Sequence, residues 1–141
     1  MENNLGKTDA RILIIDDDIH TTRLMENILS KEGYESTSIN ISTNALSSAI
    51  STNPDLILLD LMMPDIDGIR LCKILHSDQN LASVPIIVFT AMGNIENKVA
   101  AFNAGAKDYI TKPIHIEEFK LRIRMWLESS NRLVYKYELS H

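Results

Sequence analysis

Three runs of four consecutive apolar residues punctuate the chain: Ile12 to Ile15, Leu56 to Leu59 and Ile86 to Phe89. Each is too short for a helix and lacks the apolar-polar alternation of a half-buried strand, so each reads as a strand buried on both faces, the habit of parallel sheets. Between them apolar residues recur at helical spacing. Leu24, Ile28 and Leu29, with Thr21 and Met25 nearby, predict a helix capped by Asp18 and stopped by Gly33. Ala45, Leu46, Ala49 and Ile50 predict a second, capped by Ser42 or Thr43 and ended by Asn53-Pro54. Ile69, Leu71, Cys72, Ile74 and Leu75 follow the cap Asp67. Ile95, Val99 and Phe102 follow the turn Gly93-Asn94 and end at Asn103-Ala104-Gly105. Phe119, Ile123, Trp126 and Leu127 mark a last helix starting near Ile116. Residues 34–40, YESTSIN, and 107–111, KDYIT, suit shorter and less buried strands. Five strands alternating with five helices predict an α/β fold, a doubly wound five-stranded parallel sheet covered on both faces.

Composition narrows the class. The 141 residues suit one domain, and 45% hydrophobic with 23% charged residues is ordinary for a globular protein. A net charge of -5 without a Lys/Arg stripe argues against nucleic-acid binding by this segment. The single cysteine, Cys72, excludes an intrachain disulfide and sits among helix-core neighbours. No stretch has the length of a membrane span and the N-terminal MENNLGKTDA has no apolar centre, so the expectation is a cytoplasmic protein.

The strand ends carry the chemistry. Asp16 and Asp17 follow the first strand, Asp60 the third and Thr90 the fourth, while Lys112 follows the fifth. In a parallel sheet these ends share one edge, where open α/β folds bind ligands. Taken singly, each could serve as a helix cap or turn residue; the coincidence points to a site. Carboxylates a few ångströms apart repel by about 4 kcal/mol per close pair at an effective dielectric of 20. An all-oxygen cluster favours a hard cation, Mg2+ by preference, and Lys112 adds a mobile positive charge. A carboxylate beside a metal, a lysine and a hydroxyl suits in-line phosphoryl transfer, with Asp60 as nucleophile and Thr90 and Lys112 on phosphoryl oxygens.

Through ILIIDDD, LILLDLMMPDIDG, VFTA and YITKP, the chain from about Arg11 to about Leu127 resembles the receiver domains of two-component response regulators. The resemblance implies a flavodoxin-like (βα)5 fold with strand order 2-1-3-4-5; that order is the family's. It also implies roles for individual residues. Asp60 matches the phosphoacceptor. Asp16 and Asp17 match the acidic pair that with Asp60 holds Mg2+, and the backbone carbonyl of Met62 matches a further ligand. Thr90 and Tyr109 match the switch hydroxyl and aromatic. Lys112 matches the family lysine, with a cis bond to Pro113. The implied function is a phosphorylation-operated switch that takes its phosphoryl group from a sensor histidine kinase or phosphotransfer protein. Its own chemistry is limited to self-catalysed transfer and dephosphorylation, so it is not expected to be an enzyme. A homodimer through the fourth helix, fifth strand and fifth helix, and an output domain following His141, are further expectations.

Several residues fall outside that set. Asp18 reads as a cap, and His20, His76 and His115 as surface residues, with His115 a poor cap for its helix. Met62 and Met92 flank the site as apolar cover, or as side chains unable to orient an attacking water. An aspartyl-nucleophile phosphohydrolase is disfavoured because a cap domain and a later acidic pair are missing. A flavin-binding flavodoxin is disfavoured because DDDIHTT is acidic where a phosphate-cradling loop needs glycine and hydroxyls. A module that binds partners without phosphorylation does not need the complete residue set. The expected organisation is a loose segment at 1–10, the domain at 11–128 and a helical tail at 129–141 that connects to an output domain.

Overall fold

The computed structural model describes residues 10–129. In chain order the elements are β1 (Arg11–Ile15), α1 (Ile19–Lys31), β2 (Glu35–Ile39), α2 (Ala45–Thr52), β3 (Leu56–Leu59), α3 (Gly68–Ser77), β4 (Ile86–Thr90), α4 (Ile95–Asn103), β5 (Asp108–Thr111) and α5 (Ile116–Glu128). A two-rung antiparallel hairpin, Met62–Met63 against Ile66–Asp67, lies between β3 and α3. The sheet is parallel throughout in the order β2-β1-β3-β4-β5. The expected doubly wound architecture and its strand order are therefore present.

The apolar runs divide between two layers because successive strand residues point to opposite faces. Leu13, Ile15, Ile57, Leu59 and Val88 pack against α2, α3 and α4, contacting Ala45, Ala49, Leu71, Cys72, Leu75 and Ala101. Ile12, Ile14, Leu56, Leu58, Ile87 and Phe89 pack against Met25, Ile28 and Leu29 of α1 and Phe119, Ile123 and Leu127 of α5. Burial on both faces explains the runs of four without alternation.

Some helix faces differ from the sequence reading. In α1 the buried residues are Thr22, Met25, Ile28 and Leu29, while Leu24 is exposed. Thr22 tolerates burial because its hydroxyl donates to Ile19 O. A 3-10 turn at Ser42–Asn44 precedes α2, and its N-cap is Asn44 without a side-chain cap bond, in place of the predicted Ser42 or Thr43. Ile50 and Ile74 lie at the solvent edge of their helices. In α4 only Ala101 is buried, so Ile95, Val99 and Phe102 keep their helical spacing but face outward. His76 is half-buried against Gly105, at φ 115°, where an added Cβ would stand 2.8 Å from the His76 Cβ. Ala10, assigned from sequence to the loose segment, is buried, and its carbonyl accepts from Glu35 N–H. The rest of that segment and the tail beyond Ser129 lie outside the described residues.

Candidate functional site

Asp16 directly follows β1, where the parallel ladder ends. Its N–H donates to Ile39 O of β2 at 3.1 Å, and Asp60 N–H donates to Ile15 O at 2.9 Å, so the ends of β1, β2 and β3 are tied at one level. Asp16 and Asp60 are 0% and 4% exposed. Their Oδ2 atoms share one cation: Lys112 Nζ lies 3.1 Å from each. Asp16 Oδ1 accepts from Asp18 N–H and Asp60 Oδ1 from Met62 N–H. Asp17, although exposed, completes a set of three carboxylates, one oxygen of each lying within 4.8 Å of the others.

Lys112 reaches this point from the far edge of the sheet. Thr90 and Thr111 are register partners, and Lys112 N–H donates to Thr90 O at 2.8 Å. The Lys112-Pro113 peptide is cis. The lysine passes over Phe89, its Nζ 5.0 Å from the ring centroid, so the side chain crosses apolar surface before its charge meets the acids.

Burial is the main electrostatic force on Asp16 and pushes its carboxyl up to about 6. The Asp18 N–H and the Lys112 charge pull the other way, and the Asp60 charge adds to the rise. Burial pulls the Lys112 ammonium down, but the bonds and charges of Asp60 and Asp16 outweigh it and hold it above its ordinary value. A single lysine thus leaves Asp16 short of compensation, and the oxygen-only donor set with one exposed member fits a hard divalent cation such as Mg2+.

The switch candidates are joined through one residue. Thr90 is fully buried, and its Oγ1 accepts from Met92 N–H at 3.4 Å. Tyr109, half-buried, donates its hydroxyl to Met92 O, and Lys98 Nζ lies 5.8 Å from its ring centroid. The backbone of Met92 therefore meets both side chains, its N–H bound to Thr90 and its C=O to Tyr109. Met62 stands in the hairpin after Asp60 with its side chain exposed. Asp18 caps α1 by accepting from His20 N–H and the Thr21 hydroxyl, and it is not among the three clustered carboxylates. His115 precedes α5 without a side-chain cap bond.

Two residues that the sequence did not single out belong to this neighbourhood. Asn40, just past β2, donates its side-chain amide to Asp16 O at 2.8 Å. No local pattern announces that bond, because it links residues 24 positions apart. Gly68 begins α3 against the Leu61 backbone, where a Cβ would stand 2.6 Å from Leu61 O. The signal available for it was a glycine at the first position of a helix, a costly choice without a packing reason.

A doubly wound parallel sheet with three converging carboxylates and a lysine on its C-terminal edge defines an acid-centred α/β domain built to manage negative charge. Residues 12–124 match the response regulator receiver domain, and the chain belongs to that family. It is 39% identical over 123 residues to the DNA-binding dual master transcriptional regulator RpaA of Synechocystis, covering 87% of this chain and 51% of that protein. It is 36% identical to the transcriptional regulatory protein ResD of Bacillus subtilis, covering 90% of this chain and 52% of that one. The chain thus spans about half the length of these relatives. A CheY-like receiver domain protein from Methanospirillum hungatei superposes with a TM-score of 0.82 at 30% identity, covering 89% of this chain and 98% of that one.

Proposed function

We propose that Asp60 is the residue phosphorylated in this receiver domain. The observation that carries the reading is the shared cation: one lysine bridges Asp60 and the buried Asp16 while Asp17 closes the acidic set. In the transfer, an Asp60 carboxylate oxygen attacks the phosphorus of a phosphohistidine on a sensor kinase or phosphotransfer protein. The P–N bond breaks, and an acyl phosphate forms. Asp16, Asp17, Asp60 and the Met62 carbonyl would hold Mg2+, which would supply positive charge to offset that of the phosphoryl oxygens. Lys112 follows the phosphoryl group from its position between the two acids, and the Thr90 hydroxyl turns toward it.

That turn releases the Met92 N–H, on the residue whose C=O tethers Tyr109, and so biases the surface formed by α4, β5 and α5. Ile95, Val99 and Phe102 are 66%, 51% and 46% exposed there, which favours a second copy of the domain as an occupant of that surface. Light scattering with and without a phosphate mimic tests the pairing, and a monomer in both states counts against it. The names of the relatives support an output segment beyond His141, toward which residues 129–141 would lead, and the reading goes with a cytoplasmic setting. Among the described residues no helix is long and apolar enough to cross a membrane.

Acetyl phosphate provides the direct test. Labelling is expected to require Mg2+ and to be lost in Asp60→Ala. Undiminished labelling of that variant would overturn the assignment.

A further inference from the structure

We propose that Asn40 is a positioning residue for the cation site, an inference that rests on the metal reading above. In a parallel ladder, a residue that donates its N–H to position j−1 of the neighbouring strand accepts at its C=O from position j+1. Asp16 donates to Ile39 O, so the next rung belongs to the N–H of Ile41. The strand β2 ends at Ile39, and the rung is made by the Asn40 side-chain amide, 2.8 Å from Asp16 O.

The substitution matters because of the peptide it holds. Asp16 O belongs to the Asp16–Asp17 peptide unit, and the plane of that unit sets the axis about which the Asp17 backbone turns. Asp16 itself is fixed four ways: by Ile39 O and Asn40 on the backbone, and by Asp18 N–H and Lys112 on the carboxylate. Asp17 is exposed, and the peptide preceding it is what aims it. By holding that peptide, Asn40 keeps the third carboxylate within 4.8 Å of the other two. The role matches that of outer partners in metal sites generally, which orient a ligand without touching the ion.

The test is Mg2+ affinity, measured by titration calorimetry on the full chain without a phosphodonor, beside the melting midpoint of the metal-free protein. Asn40→Leu and Asn40→Ala are expected to weaken Mg2+ binding on the order of tenfold while the metal-free midpoint changes little. Asn40→His, measured above pH 7.5, is expected to recover most of the affinity. Its Nδ1 stands as many bonds from the backbone as the amide nitrogen. Ser38→Ala removes a bond from the same strand to Glu26 of α1 and is expected to leave the affinity unchanged. Wild-type Mg2+ affinity in both the Leu and Ala variants would overturn the role of Asn40. Failure of the wild-type chain to bind Mg2+, or undiminished binding by Asp17→Asn, would instead overturn the metal reading and this inference with it.

Discussion

Gly68 shows how one residue without a side chain shapes the path of the chain beyond Asp60. The backbone leaves β3, makes the two-rung hairpin and re-enters as α3 with Gly68 pressed on the Leu61 backbone. The neighbour is main chain rather than the end of a flexible side chain, so it cannot swing aside. Gly68→Ala is expected to destabilise the domain by about 1–3 kcal/mol, read from the urea midpoint, despite the better helix propensity of alanine. A rise in stability would show that the loop yields freely. Asp60, Asp16, Asp17, Thr90 and Lys112 were legible because each ends a strand or lies within two residues of its C-terminal end. Gly68 and Asn40 act through partners in space, and the local pattern names neither partner.

Among the elements, α5 is fastened to the outer edge of the sheet by a polar cluster at the start of β5. Asp108 accepts from Arg122 at 3.0 and 3.1 Å, from Trp126 Nε1 at 2.9 Å and from Tyr109 N–H at 2.9 Å. Removing the carboxylate leaves three donors to find other partners, and Trp126 is only partly able to reach water. Asp108→Ala is expected to cost about 1–3 kcal/mol and to shift the emission of the sole tryptophan to the red. Unchanged emission in the folded variant would show that the indole does not depend on this bond. The ten main elements were readable, since the apolar runs gave β1, β3 and β4, the β-branched and aromatic stretches gave β2 and β5, and the helical spacing gave α1 to α5, while the Met62–Met63 hairpin and the Ser42–Asn44 turn left no such pattern. The orientation of a stripe was not. Ile95, Val99 and Phe102 satisfy the helical period yet face solvent, because a period fixes which residues share a side and not which side meets the sheet.

At the scale of the whole molecule, the acidic edge opposes stability in the metal-free protein. Asp16 binds its proton more tightly folded than unfolded, with a carboxyl raised from 3.8 to about 6. Its ionisation is therefore harmless below about pH 4, and the fold loses stability as pH rises through that interval. In EDTA at pH 7.5, Asp16→Asn is expected to be more stable than wild type by on the order of 1–3 kcal/mol, since a tenfold change in proton affinity is worth about 1.4 kcal/mol. The gap should close toward pH 4, and added Mg2+ should stabilise wild type alone. A variant no more stable at pH 7.5 would mean that Lys112 already compensates Asp16 fully. The same edge joins distant parts of the chain: the bond from Lys112 to Asp16 spans 96 positions and that to Asp60 spans 52. Closing loops of that size is among the slower events of folding. On the ribosome, Asp60 emerges well before the lysine that shares its charge, so the nascent chain holds two acids without their common counter-ion until the fifth strand docks.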